Sequence, residues 1–430
     1  MVNVLFIVCD ALRPDHLRCY GYSKETSPFI DKLAKEGVLF KNTIANCNHT
    51  IPGLVSLFTG LYQTTHMIDG PKNYQYWGDL WKGWETPFNI LEDKGYVVAG
   101  PDPAIYGHIG YRVEVKDVSL SIRENKNKPF FIWYRSEVTH LPYNPEPPYD
   151  KIFLPEAYRI EKSTEKKLEI VKTKMLIHRP GLLSRMEKGT KDPIEKPGYE
   201  RTFAEEVFLK TDRPAIIALY DGEIRLLDKE IEKYVKILED LNLLDKTLIV
   251  ITADHGEQLL ERGALGHSSC SLEGNLYDEN IKIPLIIRYP RIIPQGKIIE
   301  TQVSQIDIMP TVFELLGLQV PGQTEGHSLI PLIKDEKIDF KEESYAMTQP
   351  CGWQVIEGDE RMIYCIRTSE WKLIYYEDPN NKESNYYELY NLKDDTEEKE
   401  NLIHQEPKIA KELKEKLEHW IGKRYEGKKQ

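Results

Sequence analysis

At 430 residues the chain is long enough for one large domain and a smaller one. Its formal net charge of −12 argues against nucleic acid or an anionic membrane surface as a partner, and no apolar run is long enough for a transmembrane helix. The six cysteines are scattered without a CxxC pair and the N-terminus lacks the features of a signal peptide, so we expect a cytoplasmic protein with reduced thiols.

The chain opens on an aliphatic run from Val4 to Val8, which is typical of a parallel strand buried on both faces. This run is followed by Asp10. In open α/β sheets ligands bind at the C-terminal ends of the strands, so we expect the Asp10 carboxylate in a ligand site. A helix is predicted over 27–35 and a short strand over 38–40.

Thr50 stands two residues ahead of a proline, in the stretch Thr-Ile-Pro-Gly-Leu. Proline is favoured in the first turn of a helix, so Thr50 is predicted at or just before a helix N-terminus. Unpaired N–H groups there favour an incoming anion, and the threonine oxygen could act as a nucleophile if a base or a metal ion activates it. Taken alone, Thr50 is explained better as an ordinary N-cap.

Strands and helices alternate through the next part of the chain. Further strands are predicted at 96–99, 129–134, 247–252 and 283–289, and helices at 86–94, 221–241 and 309–316. The strand at 247–252 again leads into polar residues, Asp254 and His255. The alternation predicts an α/β fold with a doubly wound, largely parallel central sheet and helices on both faces.

The pattern changes at two places. Residues 149–213 are rich in Lys and Glu and lose strand character, which predicts a helical insertion within a main domain of residues 1–322. We expect this insertion to cover the mouth of the site and to influence substrate choice. Residues 323–430 contain a predicted hairpin and a final helix, which indicates a small C-terminal α+β subdomain.

Several segments, in order and spacing, resemble the sulfatase-like proteins of the alkaline phosphatase superfamily. They are residues 7–21, 27–40, 50–60, 139–143, 252–257, 307–311 and 388–392. The resemblance implies the fold of that superfamily and, for residues 1–322, a catalytic domain that hydrolyses phosphate or sulfate esters.

The resemblance also implies that Asp10, Thr50, Asp254 and His255 converge on one divalent metal ion. Carboxylates beside an imidazole favour Zn²⁺ or Mn²⁺, with Ca²⁺ or Mg²⁺ as alternatives.

His140 and His267 match positions where the family contacts the substrate anion or the leaving group. A histidine there could protonate a departing alkoxide. The alternative for each is a core or surface histidine without a chemical role.

One departure from the sulfatase pattern bears on the reaction. Sulfatases carry Cys or Ser, later oxidised to formylglycine, where this chain has Thr50, whereas phosphodiesterase and phosphatase relatives use threonine. We therefore expect a metal-dependent hydrolase of phosphate or sulfate esters in which Thr50 forms a covalent intermediate with a small anionic ester substrate. The alternatives are transfer of the phospho or sulfo group to an alcohol acceptor, and a non-catalytic binding protein that retains the fold.

Overall fold

The computed structural model describes residues 1–68, 86–100, 117–181, 203–268, 270–352, 354 and 359–427. The strands in this part of the chain are β1 (Asn3–Cys9), β2 (Val38–Ile44), β3 (Val97–Ala99), β4 (Phe130–Ser136), β5 (Leu176–His178), β6 (Phe203–Glu205), β7 (Thr247–Thr252), β8 (Gln258–Leu259), β9 (Leu265–Gly266), β10 (Lys282–Arg288), β11 (Lys297–Ile299), β12 (Val303–Ser304), β13 (Ser344–Thr348), β14 (Met362–Arg367), β15 (Trp371–Glu377) and β16 (Tyr386–Asn391). The α-helices are α1 (Pro28–Lys35), α2 (Thr50–Thr59), α3 (Gln63–His66), α4 (Pro87–Asp93), α5 (Val118–Glu124), α6 (Lys162–Thr173), α7 (Arg213–Asp240), α8 (Asp278–Ile281), α9 (Ile308–Leu315), α10 (Ile330–Ile333) and α11 (Pro407–Gly427).

The central sheet has eight strands in the order β11-β2-β10-β7-β1-β4-β3, with β12 paired to β2. β1 lies parallel to both β7 and β4, and β3 lies parallel to β4. β10 is antiparallel to both of its neighbours. Every residue of β1 and of β7 is buried, as their unbroken aliphatic sequences predicted. The expected α/β fold with a largely parallel sheet is confirmed.

Helices cover both faces of this sheet. Along β1, Leu5 and Ile7 belong to one apolar core with α1, α5 and α7, whereas Val4 and Phe6 belong to a second core with α2, α4 and α9. Successive side chains of a strand point to opposite faces, so the two cores lie on opposite sides of the sheet. The long helix α7 begins at Arg213, eight residues before the predicted start, and has a proline in its first turn.

A second sheet, antiparallel and in the order β13-β14-β15-β16, lies in the C-terminal part of the chain and packs against α11. Its Lys372 is fully buried and forms ion pairs with Asp278 at 2.9 Å and with Glu398 at 2.8 Å. Asp278 is the first residue of α8, so this cluster joins the second sheet to the main part of the molecule. Ile330 and Ile333 of α10 belong to one of the main-sheet cores, although they follow residue 322.

The segment predicted as a helical insertion, 149–213, contains α6 and the parallel pair β5 and β6, while its residues 182–202 lie outside the described ones. Leu168, Val171 and Ile177 from this segment are part of a main-sheet core. Among the described residues, every helix is too short or too polar to serve as a transmembrane span.

Candidate active site and metal centre

Asp10 and Asp254 meet because the strands that precede them are parallel neighbours, with Val8 of β1 paired to Thr252 of β7. Both side chains are buried. Oδ1 of Asp254 accepts hydrogen bonds from the backbone N–H groups of Ala11, at 3.3 Å, and His255, at 3.0 Å. The backbone that follows each strand therefore fixes the carboxylate of Asp254 beside that of Asp10.

The imidazole of His255 is oriented by its own loop. Nδ1 lies 2.7 Å from the carbonyl oxygen of Gly256. A carbonyl oxygen can only accept, so Nδ1 carries the proton and Nε2 carries a lone pair. Nε2 lies 3.4 Å from Oδ1 of Asp10 and 3.6 Å from Oδ2 of Asp254.

These three side chains fit a divalent metal ion. Oδ1 of Asp10 and Oδ2 of Asp254 are buried and have no hydrogen-bond partner among the described residues. Two carboxylate oxygens and an imidazole lone pair would repel one another without a cation between them. The three ligand atoms lie within 4.8 Å of one another, and carboxylates with an imidazole are a common ligand set for divalent transition metals.

The pKa values of the two carboxylates are shifted in opposite directions. Burial, together with the charge of Asp10, raises the pKa of Asp254 to about 6. Burial also tends to raise the pKa of Asp10, but the positive charges of His140 and Arg135 outweigh it and lower that pKa to about 2. Near neutral pH both groups are ionised, so the site carries the negative charge that a cation requires.

Thr50 is the first residue of α2, and its hydroxyl faces these groups. Oγ1 lies 3.3 Å from Nε2 of His255 and 3.5 Å from Oδ2 of Asp10. The N-cap of α2 is His49, which has extended backbone angles and makes no capping side-chain bond within the described part of the chain. The threonine hydroxyl therefore points into the site instead of capping the helix.

Arg135 is a site residue that the sequence did not predict. It lies near the end of β4, where it is paired with Val8 of β1, and its side chain is 8% exposed. Its guanidinium group forms ion pairs with Asp10 and with Glu137. The sequence signal for Arg135 is its position directly after the predicted strand 129–134. Many charged residues share that feature, so it does not single out Arg135.

Gln305 is a second unpredicted neighbour of the site. Its Nε2 donates to the carbonyl oxygens of Asp254, at 2.9 Å, and Ala253, at 3.2 Å. The turn that carries Asp254 is therefore supported from the segment that leads into α9.

His140 and His267, the two histidines predicted to contact the substrate, lie close to this centre. Their ring centroids are 4.9 Å apart, and the His267 ring is 4.2 Å from that of His255. Nδ1 of His140 is 2.5 Å from the carbonyl oxygen of Leu141. The structure thus brings all six predicted site residues into one region, and the roles of the two histidines stay predictions.

The fold and the site together define a sulfatase-like ester hydrolase of the alkaline phosphatase superfamily. The sequence profile of the Sulfatase family matches residues 2–318, and the chain belongs to this family. A second profile, described as "N-sulphoglucosamine sulphohydrolase, C-terminal", matches residues 274–423. Members of the sulfatase family generally bind a divalent metal ion.

Individual relatives match along nearly the whole chain. Arylsulfatase K of Xenopus laevis is 26% identical over 468 residues, covering 96% of this chain and 81% of its own. An N-acetylglucosamine-6-O-sulfatase of Bacteroides thetaiotaomicron is 25% identical over 502 residues, covering 97% of this chain and 85% of its own.

Two solved structures have the same fold. One was determined in complex with its substrate D-glucosamine-2-N,6-O-disulfate and matches with a TM-score of 0.72 at 22% identity, covering 99% of this chain and 98% of its own. The other is the phosphonate monoester hydrolase of Agrobacterium radiobacter, with a TM-score of 0.71 at 20% identity, covering 99% of this chain and 96% of its own.

Proposed function

We propose that this protein hydrolyses an anionic ester of a small molecule by attack of the Thr50 hydroxyl, and that it cleaves phosphate esters faster than sulfate esters. One observation carries the proposal. Oγ1 of Thr50 stands at the start of α2, 3.3 Å from Nε2 of His255 and 3.5 Å from Oδ2 of Asp10.

Asp10, Asp254 and His255 would hold the metal ion, with the Thr50 oxygen beside them, and the imidazole favours Zn²⁺ or Mn²⁺ over Ca²⁺. When bound, such an ion lowers the pKa of a neighbouring hydroxyl and screens the negative charge of the ester. Arg135 holds Asp10 in place from the side of β4. The first N–H groups of α2 have no acceptor within the helix, and they favour an anion at its N-terminus.

The reaction has two displacements. In the first, the Thr50 oxygen forms a bond to phosphorus, the bond from phosphorus to the ester oxygen breaks, and the alcohol leaves with a proton. In the second, water attacks phosphorus, the bond to Thr50 breaks, and the hydroxyl is restored as phosphate departs. His140 and His267 are expected to contact the substrate anion or the departing oxygen.

The identity of the nucleophile favours phosphorus. The Cβ of Thr50 carries a methyl group, so its oxidation would give a ketone and not the aldehyde of formylglycine. A formylglycine hydrate can expel sulfate by collapsing to the aldehyde, whereas a threonine ester must be cleaved by a second attack. Metal-assisted attack on a phosphoryl group is established chemistry for this kind of site.

The relatives favour a second candidate function, hydrolysis of a sulfate ester on an amino sugar. An N-acetylglucosamine-6-O-sulfatase matches 97% of the chain, and a protein with the same fold was solved with a disulfated glucosamine. The same attack by Thr50 would then take place on sulfur.

Matched substrates distinguish the two candidates. The metal-loaded protein is assayed on a phosphate monoester, a phosphate diester, a phosphonate monoester and a sulfate ester of one aryl alcohol, and on glucosamine 6-sulfate. We expect kcat/KM for at least one phosphorus ester to exceed that for both sulfates. A higher value for glucosamine 6-sulfate would replace the proposal with the second candidate, and a higher value for the aryl sulfate would overturn the preference for phosphorus.

Variants of Thr50 test the nucleophile itself. Thr50→Ala should lower kcat by at least about 10³-fold, with metal content and melting temperature close to wild type, whereas Thr50→Ser, which keeps a hydroxyl, should retain much more activity. Mass spectrometry of acid-quenched wild type should show a covalent phospho or sulfo adduct that is absent from Thr50→Ala. An active Thr50→Ala protein would show that another group attacks the ester.

A further inference from the structure

His140, His267 and Cys270 form a second group of potential metal ligands, separate from Asp10, Asp254 and His255. His267 and Cys270 are fully buried, and His140 is 9% exposed. Nε2 of His140 lies 3.5 Å from Sγ of Cys270, and Nε2 of His267 lies 3.8 Å from the same sulfur. The two imidazoles therefore converge on one thiol.

In their neutral form, His140 and His267 can each present Nε2 to a metal ion. Nδ1 of His140 faces the Leu141 carbonyl oxygen, and Nδ1 of His267 lies 3.0 Å from Oε1 of the Glu257 carboxylate. In the neutral form of each ring, a proton on Nδ1 bonds to that oxygen and Nε2 carries a lone pair. The Cys270 thiol carries one hydrogen and can satisfy only one of these lone pairs. A cation bound by a thiolate and two neutral imidazoles would satisfy all three groups.

The spacing of the three atoms suits zinc. Zn–N bonds of about 2.0–2.1 Å and Zn–S bonds of about 2.3 Å at tetrahedral angles place N and S about 3.6 Å apart. The observed separations are 3.5 and 3.8 Å. Metal-bound histidines also commonly donate their other ring N–H to a carbonyl or a carboxylate, as His140 and His267 do here.

We propose that His140, His267 and Cys270 bind a second metal ion, a borderline transition metal such as Zn²⁺, beside the Asp10 centre. Thiolate and imidazole ligands select such ions over Ca²⁺ or Mg²⁺. Three protein ligands leave a fourth position for water or for an oxygen of an anionic ligand. Because the His267 ring lies 4.2 Å from the His255 ring, the two centres are adjacent.

This proposal replaces the direct contact of His140 and His267 with the substrate, because an imidazole that holds an ion at Nε2 and a protein oxygen at Nδ1 has no nitrogen left to donate a proton; the two histidines would act on the substrate through the ion. It does not depend on Thr50 as the nucleophile. The first metal centre and the attack by Thr50 stand whether or not the second ion binds.

Cobalt binding to the full-length chain tests the proposal without an activity assay. The protein is stripped with a chelator, dialysed and titrated with Co²⁺ alone, while bound metal is counted and near-ultraviolet absorption is recorded. A thiolate bound to Co²⁺ gives a charge-transfer band that carboxylate and imidazole ligands do not. We expect wild type to bind two equivalents and to show the band.

Three variants assign the two equivalents. Cys270→Ser should bind one equivalent and lose the band, and Asp254→Asn should bind one equivalent and keep it. Cys365→Ser, which changes another buried cysteine in β14, should behave as wild type. Melting curves confirm that each variant is folded.

Wild type that binds a single equivalent without the band would overturn the proposal, as would a band that persists in Cys270→Ser. If Cys270→Ser does not fold, the stoichiometry and spectrum of wild type decide the question by themselves.

Discussion

Gly53, in the first turn of α2, lies against the main chain of Asp254. A Cβ atom at position 53 would come within 2.8 Å of the Asp254 carbonyl oxygen. A backbone carbonyl cannot move aside as the end of a flexible side chain can, so glycine is what lets the helix that carries Thr50 approach the strand end that carries Asp254.

Gly53→Ala should therefore displace α2 from the site. We expect kcat to fall by about 10- to 100-fold, because small displacements of reacting groups are costly, and stability to fall by about 1–3 kcal/mol. Gly322→Ala is the matched control, since a Cβ there meets no heavy atom of the described residues within 4 Å. Steady-state kinetics and urea denaturation measure both effects. Wild-type kinetics in Gly53→Ala would mean that this close approach does not position Thr50.

Metal removal should lower the melting temperature of wild type more than that of Asp254→Asn. In wild type, chelation leaves two buried carboxylates facing each other. It also removes the stability that the bound ion gives to the folded protein, which is about 4 kcal/mol for a ligand at about 1,000 times its Kd. In Asp254→Asn that repulsion is absent. Metal-free Asp254→Asn should therefore melt at a higher temperature than metal-free wild type, and this order should reverse with metal. Calorimetry with chelator, and again after metal is added back, measures both orders of melting temperature. A wild-type melting temperature that does not change on chelation would contradict the metal centre.

Glu223 should make stability depend on pH. It is 6% exposed, and burial raises its pKa to about 7, although the N–H of Asn144, 2.6 Å from Oε1, acts in the opposite direction. The folded protein therefore retains a proton that the unfolded chain loses above about pH 4.3. The stabilising contribution of Glu223 to the free energy of unfolding is fully present below that pH and is lost as pH rises to about 7.

Glu223→Gln should remove this loss, because the amide oxygen can still accept the Asn144 hydrogen bond but cannot ionise. Between pH 5 and 7 we expect the free energy of unfolding of the variant to rise relative to that of wild type. The difference should reach up to about 3 kcal/mol, at about 1.4 kcal/mol per pKa unit. The free energy of unfolding is measured by urea titration across this range. Glu92→Gln, at an exposed position of α4, should follow wild type at every pH, and a Glu223→Gln curve parallel to wild type would refute the pKa assignment.

Lys372→Met should strongly destabilise the protein. The ammonium group is fully buried between Asp278 and Glu398, and its removal leaves buried carboxylates without that partner. Breaking a buried pair in this way typically costs about 3–5 kcal/mol. Lys411→Met removes an 80% exposed lysine that is 3.9 Å from Glu415 and should change stability by less than about 1 kcal/mol. Equal urea midpoints for the two variants would show that the cluster does not stabilise the junction with the second sheet.

The sequence predicted those parts of the site that follow strong local signals. Unbroken aliphatic runs identified β1 and β7, and parallel strands place Asp10 and Asp254 at one edge of the sheet. The Thr-Ile-Pro stretch identified the start of α2. These signals are specific because burial on both faces excludes polar residues, and because proline is tolerated in the first turn of a helix.

Arg135 and Cys270 escaped prediction because their roles depend on which distant segments become neighbours. Arg135 reaches Asp10 only because β4 pairs with β1, and a single sequence does not give the order of strands in a sheet. Cys270 meets His140 across loops that are far apart in the chain, without the close spacing of a metal-binding motif. The antiparallel direction of β10 is likewise a property of tertiary pairing that its aliphatic sequence does not encode.

The position of β1 in the sheet has a consequence during protein synthesis. Leu5 pairs with Ile132 of β4 on one side and with Ile249 of β7 on the other, so β1 is synthesised before both of its partners and must wait for them. At about 5–20 residues per second, β7 follows on the order of ten seconds or more later. An aliphatic strand left unpaired for that time can aggregate, so the nascent chain is expected to need a chaperone that covers β1 until β7 emerges.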